Sequence, residues 1–178
     1  EGRVGPMSAG RVTVDPVSTT VRVASVNVNG IRAAVRNGMA GWLDHADVDI
    51  LTLQEVRAGE ADLLASLPGW HVVADEASAK GRAGVAIATR TPLDVWRIEH
   101  GASDFDTAGR WIEADVPVGD SVLTVVSAYV HTGEADTPKQ EAKYAFLDAM
   151  EARLPVLGAD GAYAVVTGDL NVGHRELD

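Results

Sequence analysis

Three short apolar segments of this chain end in polar residues that the interior of a strand would not select. The first runs into Asn27 and Asn29, the second into Glu55, and the last into Asp169 and Asn171. Because side chains two positions apart on a strand point to the same side, each pair is expected to share one side. Strand ends at the rim of an α/β sheet often carry ligand sites, so we predict that these groups form one polar cluster.

The predicted cluster suits metal-assisted hydrolysis. Glu55 is a hard oxygen donor of the kind that Mg²⁺ or Mn²⁺ prefers. Asp169 and Asn171 together can orient a water and hold the phosphate that the metal polarises. The chain has neither a G-x-S-x-G nor a P-loop sequence, and it has no cysteine, so water is the expected nucleophile.

Each of these signals has a simpler explanation when it is taken alone. A single Glu at a strand end is usually solvated, and the sequence G-D-L-N can serve only to stabilise a turn. The sequence N-V-N-G is more often a turn than a site. The prediction of a site therefore rests on the conjunction, in which three polar ends each follow a strand.

Length and composition limit the class of protein. The 178 residues, 46% apolar and 23% charged, suit one compact domain. No apolar stretch reaches the ~18 residues of a membrane span, so no membrane partner is expected. The absence of cysteine excludes disulfides and favours a reducing, cytoplasmic location. The net charge of −11 argues against a polyanionic partner unless basic residues cluster locally.

Apolar spacing predicts the elements that position the cluster. Helices are expected over 31–46 and over 60–67. A third helix is expected to begin at Thr137, where T-P-K-Q has the form of a capping box, and to end at Pro155 and Gly158. Short polar connections between the middle strands predict an antiparallel meander. The order indicates an α/β or α+β fold with at least one sheet covered by helices, preceded by a mobile tail at 1–20. The predicted strands cover 21–28, 49–54, 71–74, 84–89, 93–98, 110–116, 121–129 and 162–169.

Five segments together resemble exonuclease III-type AP endonucleases of the endonuclease/exonuclease/phosphatase superfamily. L-Q-E and G-D-L-N after strands are typical of the superfamily, and N-V-N-G-I-R-A and S-A-Y-x-x-x-G of its DNA-repair branch. The resemblance implies a four-layer α/β sandwich with mixed, mostly antiparallel sheet flanked by helices. Residues 21–178 would form its first half, with the C-terminal half missing. The segments are VASVNVNGIRA (23–33), DILTLQEVR (49–57), GVAIATR (84–90), SAYVHTGE (127–134) and VVTGDLNVGHRELD (165–178).

The resemblance also implies a role for each matching residue. Glu55 corresponds to a metal-ligand glutamate, and Asn27 to an asparagine in the same network that is both a catalytic and a metal-site residue. Tyr129 corresponds to a tyrosine that points at the scissile phosphate. Asp169 corresponds to the acid that orients or deprotonates the attacking water, and Asn171 to the asparagine beside it that contacts the phosphate.

A second group of polar and basic residues is expected to face DNA. Lys139 has an alternative interpretation, because it also lies in the first turn of a helix and can simply be solvated. His131 and Thr132 stand where some relatives carry Pro and Gln, and a lone His is more often structural than catalytic. The predicted DNA-facing residues are Asn29, Arg57, Lys80, Arg82, Arg110 and Lys139.

The implied activity is hydrolysis of the phosphodiester 5′ to abasic sites in double-stranded DNA, and of 3′ ends, with Mg²⁺ or Mn²⁺. Two alternatives stay open: a phosphodiesterase or phosphatase for small or lipid phosphates, and an inactive fragment that binds only DNA or metal. The family's second half carries a near-terminal S-D-H that does not occur here. A half-sandwich would expose the inner face of a sheet, which predicts self-association.

Overall fold

The computed structural model describes residues 20–78, 81–93, 95–98 and 108–173. The predicted tail, apart from Thr20, lies outside the described residues. Lys80 and most of the long connection at 99–109 lie outside them as well.

Two four-stranded sheets form the centre of the fold. Sheet A contains β1 (Val23–Asn27), β2 (Ile50–Gln54), β3 (His71–Asp75) and β4 (Val85–Thr89), in the spatial order β1-β2-β4-β3. Sheet B contains β5 (Val95–Arg97), β6 (Trp111–Val118), β7 (Ser121–Tyr129) and β8 (Tyr163–Asp169), in that order. The pairs β1–β2 and β7–β8 are parallel, and the other pairs are antiparallel. The predicted antiparallel pairing holds for β3 with β4 and for β5, β6 and β7, but these strands do not form one meander, because β4 and β5 belong to different sheets.

Among the described residues, four α-helices flank the sheets: α1 (Ile31–Arg36), α2 (Met39–Ala46), α3 (Glu60–Ser66) and α4 (Pro138–Leu157). The helix predicted over 31–46 is interrupted at Asn37 and Gly38. Helix α4 continues through Pro155, since the bond that proline removes falls in the last turn. The predicted capping box is absent, because the Thr137 hydroxyl donates to the Glu134 carbonyl at 2.8 Å instead of to the helix.

The layers stack as helix, sheet, sheet and helix, which confirms the predicted class. Helices α1 to α3 cover the outer face of sheet A through Ile31, Leu43 and Leu63. Helix α4 covers the outer face of sheet B, where Phe146 packs on Trp111. No helix in the described part of the chain is long and apolar enough to cross a membrane.

The inner faces of the two sheets cover each other. Ile50 and Ile87 of sheet A pack with Ile112 and Val125 of sheet B in one buried cluster. The expected exposed inner sheet face is therefore wrong. Strand β1 is an edge strand of sheet A, and β8 is an edge strand of sheet B. These two edge strands lie side by side, and each ends in a residue of the predicted cluster.

Candidate active site

The ends of four strands meet at one rim of the sandwich. In sheet A, Asn27 pairs with Gln54, which precedes Glu55, across parallel strands. In sheet B, Tyr129 pairs with Asp169 in the same way. Parallel pairing brings the carboxyl ends of the strands together within each sheet, and the stacking of the sheets brings the two pairs together.

The Asn27 side chain connects the two sheets at this rim. Its Nδ2 atom donates to Glu55 Oε1 at 2.8 Å and to Asp169 Oδ2 at 2.8 Å, so both amide hydrogens are used. Its Oδ1 atom accepts from the backbone N–H of Asn29 at 3.0 Å. The structure thus brings the predicted polar strand ends into one hydrogen-bonded cluster.

Glu55 lies at the centre of this cluster. Its backbone φ of 53° is in the left-handed region, which is unusual for a residue with a side chain. The Gly30 N–H donates to its carbonyl at 2.8 Å and so holds this conformation. The carboxylate is only 13% exposed; Oε1 accepts from Tyr129 Oη at 2.8 Å, and Oε2 forms an ion pair with Arg57.

The surroundings of Glu55 favour its ionised form. Burial is the largest influence and raises its pKa, but hydrogen bonds from Asn27 and Tyr129 and the charge of Arg57 outweigh it and lower the pKa. Burial and the neighbouring Glu55 carboxylate raise the pKa of Tyr129. The Tyr129 phenol therefore stays protonated at neutral pH and remains a hydrogen-bond donor.

Asp169 and Asn171 are connected by a turn. Asn171 has a φ of 48° and lies beyond the end of β8; its N–H donates to Asp169 Oδ1 at 3.2 Å, and its Nδ2 donates to the Val130 carbonyl at 2.8 Å. A side chain at Gly168 would lie 1.9 Å from the Ala128 carbonyl oxygen, so only glycine fits before Asp169.

The predicted pairs, Asn27 with Asn29 and Asp169 with Asn171, do lie together, but strand alternation is not the reason. Asn29, with a φ of 44°, lies beyond the end of β1, and its N–H is bonded to the Asn27 side chain. Each pair is an Asx-type turn in which the first side chain accepts the N–H of the second residue. The simpler turn interpretation and the cluster interpretation are both correct, because the turns fix the carboxamide and carboxylate that form the cluster.

Arg110 lies under Tyr129. Its Nη1 atom donates to the Tyr129 carbonyl at 3.1 Å, and its Cζ atom lies 4.5 Å from the centre of the tyrosine ring. Burial lowers its pKa, and its interactions with Tyr129 and the Glu55 carboxylate offset this in part. Its DNA contact stays a prediction, and the geometry shows that it supports Tyr129 from behind.

The other predicted DNA-facing residues lie around the cluster in different settings. Arg57 and Arg82 line a cavity of about 340 Å³ together with Arg32, which the sequence analysis missed. Lys139 is exposed and forms a 2.7 Å ion pair with Glu134, in agreement with its solvated interpretation. Asn29 is exposed beside the site.

His131 packs away from the cluster. Its ring lies edge-on to Phe146, with centroids 5.6 Å apart, in agreement with a structural role. Burial first, and then the charge of Arg110, lower its pKa to about 4, so the imidazole is neutral. Its Nδ1 atom is buried and has no hydrogen-bond partner among the described residues.

The donor atoms at the rim fit a hard divalent cation. Mg²⁺ is commonly held by one or two carboxylates, with waters and substrate phosphates completing the shell. Glu55, with Asp169 one amide away, supplies such carboxylates. Among the described residues, no group of three or more acidic or histidine side chains is placed to hold a metal ion. A cation at Glu55 Oε2 would take the place of the Arg57 guanidinium.

Known proteins are similar to this chain in sequence. DNA repair nuclease APEX1 from Danio rerio is 32% identical over 92% of this chain and 53% of its own length. Exodeoxyribonuclease from Bacillus subtilis (strain 168) is 28% identical over 89% of this chain and 61% of its own length.

A solved structure agrees with these sequence relatives. An AP endonuclease from Archaeoglobus fulgidus superposes with a TM-score of 0.74 at 29% identity, over 89% of this chain and 60% of the other. The chain therefore spans about half to three fifths of the length of these proteins. The model of the Endonuclease/Exonuclease/phosphatase family matches residues 24–178, and the chain belongs to that family.

Proposed function

We propose that this chain carries the hydrolytic site of a DNA repair nuclease that cleaves the phosphodiester 5′ to abasic sites in duplex DNA. Removal of nucleotides from 3′ ends is a second activity of the same site. The observation that carries the proposal is the Asn27 amide, which donates to Glu55 and Asp169 at 2.8 Å each. The relatives named as a DNA repair nuclease and an exodeoxyribonuclease support it.

Asp169 prepares the attacking water in this proposal. Asn27 holds its Oδ2 atom and the Asn171 N–H holds its Oδ1 atom, so the carboxylate has one fixed orientation. A carboxylate fixed in this way aligns the water and accepts its proton as the oxygen bonds to phosphorus. The bond that breaks joins phosphorus to the O3′ atom of the nucleotide on the 5′ side of the abasic site.

Tyr129 and Asn171 serve the phosphate. The single hydroxyl hydrogen of the protonated Tyr129 phenol is donated to Glu55 and would have to turn to the phosphate when substrate binds, whereas the second Nδ2 hydrogen of Asn171 remains after the bond to Val130. Donors aimed at oxygens that gain charge stabilise a transition state. Mg²⁺ or Mn²⁺ bound at Glu55 would supply Lewis-acid stabilisation of the same charge.

Basic residues beside the site support DNA as the partner despite the net charge of −11. Arg32, Arg57 and Arg82 line the neighbouring cavity, where Asp62 and Glu76 also lie and Arg32 is paired with Asp62. Guanidinium groups beside the site suit the repeated phosphates of a nucleic-acid backbone.

The test compares substrates on the 178-residue chain with Mg²⁺ and with Mn²⁺. An abasic duplex, the same duplex without the lesion, a 3′-recessed duplex and a simple aryl phosphodiester are each assayed for hydrolysis. Preference for the abasic duplex, abolished by Asp169→Asn, supports the proposal. Equal or greater turnover of the aryl ester favours a small-phosphate phosphodiesterase. Binding of DNA without any hydrolysis favours a binding fragment.

A further inference from the structure

One lysine ties helix α4 to the two loops that follow β7 and β8. The Lys143 Nζ atom donates to the Asn171 carbonyl at 2.6 Å and reaches the Thr132 carbonyl at 3.4 Å. The lysine is half-buried, in contrast to the exposed Lys139 one turn earlier on the same helix. We propose that Lys143 is a positioning residue that holds the Asp169–Asn171 turn in its working geometry. This inference rests on the proposed function of that turn.

The turn is held by three separate bonds of Asn171. Its N–H is bonded to Asp169 Oδ1, its side-chain Nδ2 to the Val130 carbonyl, and its carbonyl to Lys143. The bond to Val130 joins neutral groups, and the bond to the Asp169 carboxylate is long, at 3.2 Å. The bond from Lys143 is charge-assisted, 2.6 Å long and comes from a helix of 20 residues, so it is the more rigid attachment.

The packing around Lys143 restricts the conformation of its side chain. A side chain at Gly133 would place its Cβ atom 2.8 Å from Lys143 Cδ and 2.7 Å from Gln140 Oε1. The loop after β7 therefore passes directly over the lysine stem and confines it. Confinement of a flexible side chain lowers the entropy lost when its ammonium group binds the Asn171 carbonyl.

Loss of the Lys143 ammonium group would displace Asp169, and this effect requires no contact between Lys143 and DNA. Freeing the Asn171 carbonyl loosens the turn, and the Asn171 N–H then no longer fixes Asp169 Oδ1. Small displacements of a catalytic carboxylate lower the rate of the chemical step. The structure thus assigns Lys143 an effect on kcat, with substrate affinity left nearly unchanged.

The first experiment observes Asn171 directly and needs no activity. The chain has four asparagines, at 27, 29, 37 and 171, so ¹⁵N-asparagine labelling gives a simple spectrum in which Asn171→Ala identifies the Asn171 signals. Lys143→Met should shift the Asn171 backbone and side-chain signals and leave those of Asn37 in place. Lys143→Arg should largely restore them. Glu151→Gln, an exposed change of one charge on the same helix that adds no asparagine, is the control. Unchanged Asn171 signals in Lys143→Met would overturn the inference.

The second experiment separates positioning from DNA contact. On abasic duplex, Lys143→Met should lower kcat about 10- to 100-fold with little change in KM, and Lys143→Arg should recover most of the loss. A rise in KM with unchanged kcat would instead identify a phosphate contact and overturn the inference. If the unmodified chain hydrolyses no DNA, the proposed function fails, while the Asn171 signals still decide the role of Lys143.

Discussion

The Asn27 amide lies between the Glu55 and Asp169 carboxylates and donates one hydrogen bond to each, at 2.8 Å. Asn27 and Asp169 are 142 positions apart in the chain and belong to the edge strands of different sheets. Their contact joins the group expected to bind metal with the group expected to prepare water. Loss of either amide hydrogen bond would leave two carboxylates close together without a bridging donor.

Asn27→Asp should abolish most hydrolysis. The substitution replaces the two amide hydrogens with a third negative charge, and loss of a fixed donor at a reacting centre typically costs about 10²- to 10³-fold in kcat. Turnover of abasic duplex by purified protein measures this. Asn37→Asp, the same change at an exposed helix end, is the control and should retain full turnover. Equal activity of the two variants would contradict the role of Asn27.

Glu55→Gln and Asp169→Asn should separate metal binding from water activation. Removing the Glu55 charge should weaken Mn²⁺ binding, measured by calorimetry, because hard cations bind carboxylates in preference to amides. Asp169→Asn should lower kcat about 10²- to 10⁴-fold, as for loss of a general base, with a smaller effect on Mn²⁺ affinity. If Mn²⁺ binds Glu55→Gln as tightly as the unmodified chain, the cation lies elsewhere.

Tyr129→Phe should raise the pKa of Glu55. In the folded chain this pKa is lowered from 4.5, so ionised Glu55 stabilises the fold above about pH 4.5, and that stabilisation is lost as pH falls through the folded value. Removing the Tyr129 hydrogen bond should therefore shift acid unfolding to higher pH. Carboxyl chemical shifts of Glu55 and circular dichroism measure the two effects. Tyr144→Phe, at an exposed ring on α4, should leave both unchanged.

Arg153→Met should destabilise the attachment of α4 to sheet B. The fully buried Glu113 carboxylate accepts hydrogen bonds from Arg153, Arg97 and the Trp111 indole. Burial is the largest single influence and raises its pKa, but these bonds together outweigh it and lower the pKa. Removing one partner of a fully buried ion pair typically costs ~3–5 kcal/mol. A smaller loss is expected here, because the Arg153 side chain is 25% exposed and Arg97 stays paired with Glu113. Urea unfolding measures the loss. Glu151→Gln, on the exposed side of the same helix, should change stability by less than about 0.5 kcal/mol.

The edge strands β1 and β8 should promote self-association at high concentration, since unpaired strand edges and exposed apolar side chains favour it. Tyr163, at the start of β8, is 67% exposed. Sedimentation should show an average mass that rises with concentration, and Tyr163→Lys should reduce the rise. A strictly monomeric chain at millimolar concentration would contradict this prediction.

The local sequence pattern predicted most of the elements and the polar strand ends that form the cluster. Strand β7 has its predicted bounds, and β2 and β8 each begin one residue later than predicted. Alternation, turn residues and breakers act over a few neighbouring positions, so a single sequence displays them. The polar residues at the strand ends could be identified for the same reason, because polar side chains are unusual in a buried strand.

The tertiary structure alone decided how these pieces meet. The division of the predicted meander between two sheets, the support of Tyr129 by Arg110 and the attachment of Asn171 to Lys143 all depend on segments far apart in the chain. Asn29 and Asn171 also owe their positions to turns with positive φ, which strand periodicity does not encode. Sheet pairing and layer packing depend on contacts throughout the whole buried core. For this reason residue spacing predicted which groups could react, and only the packed sandwich placed them within hydrogen-bond distance.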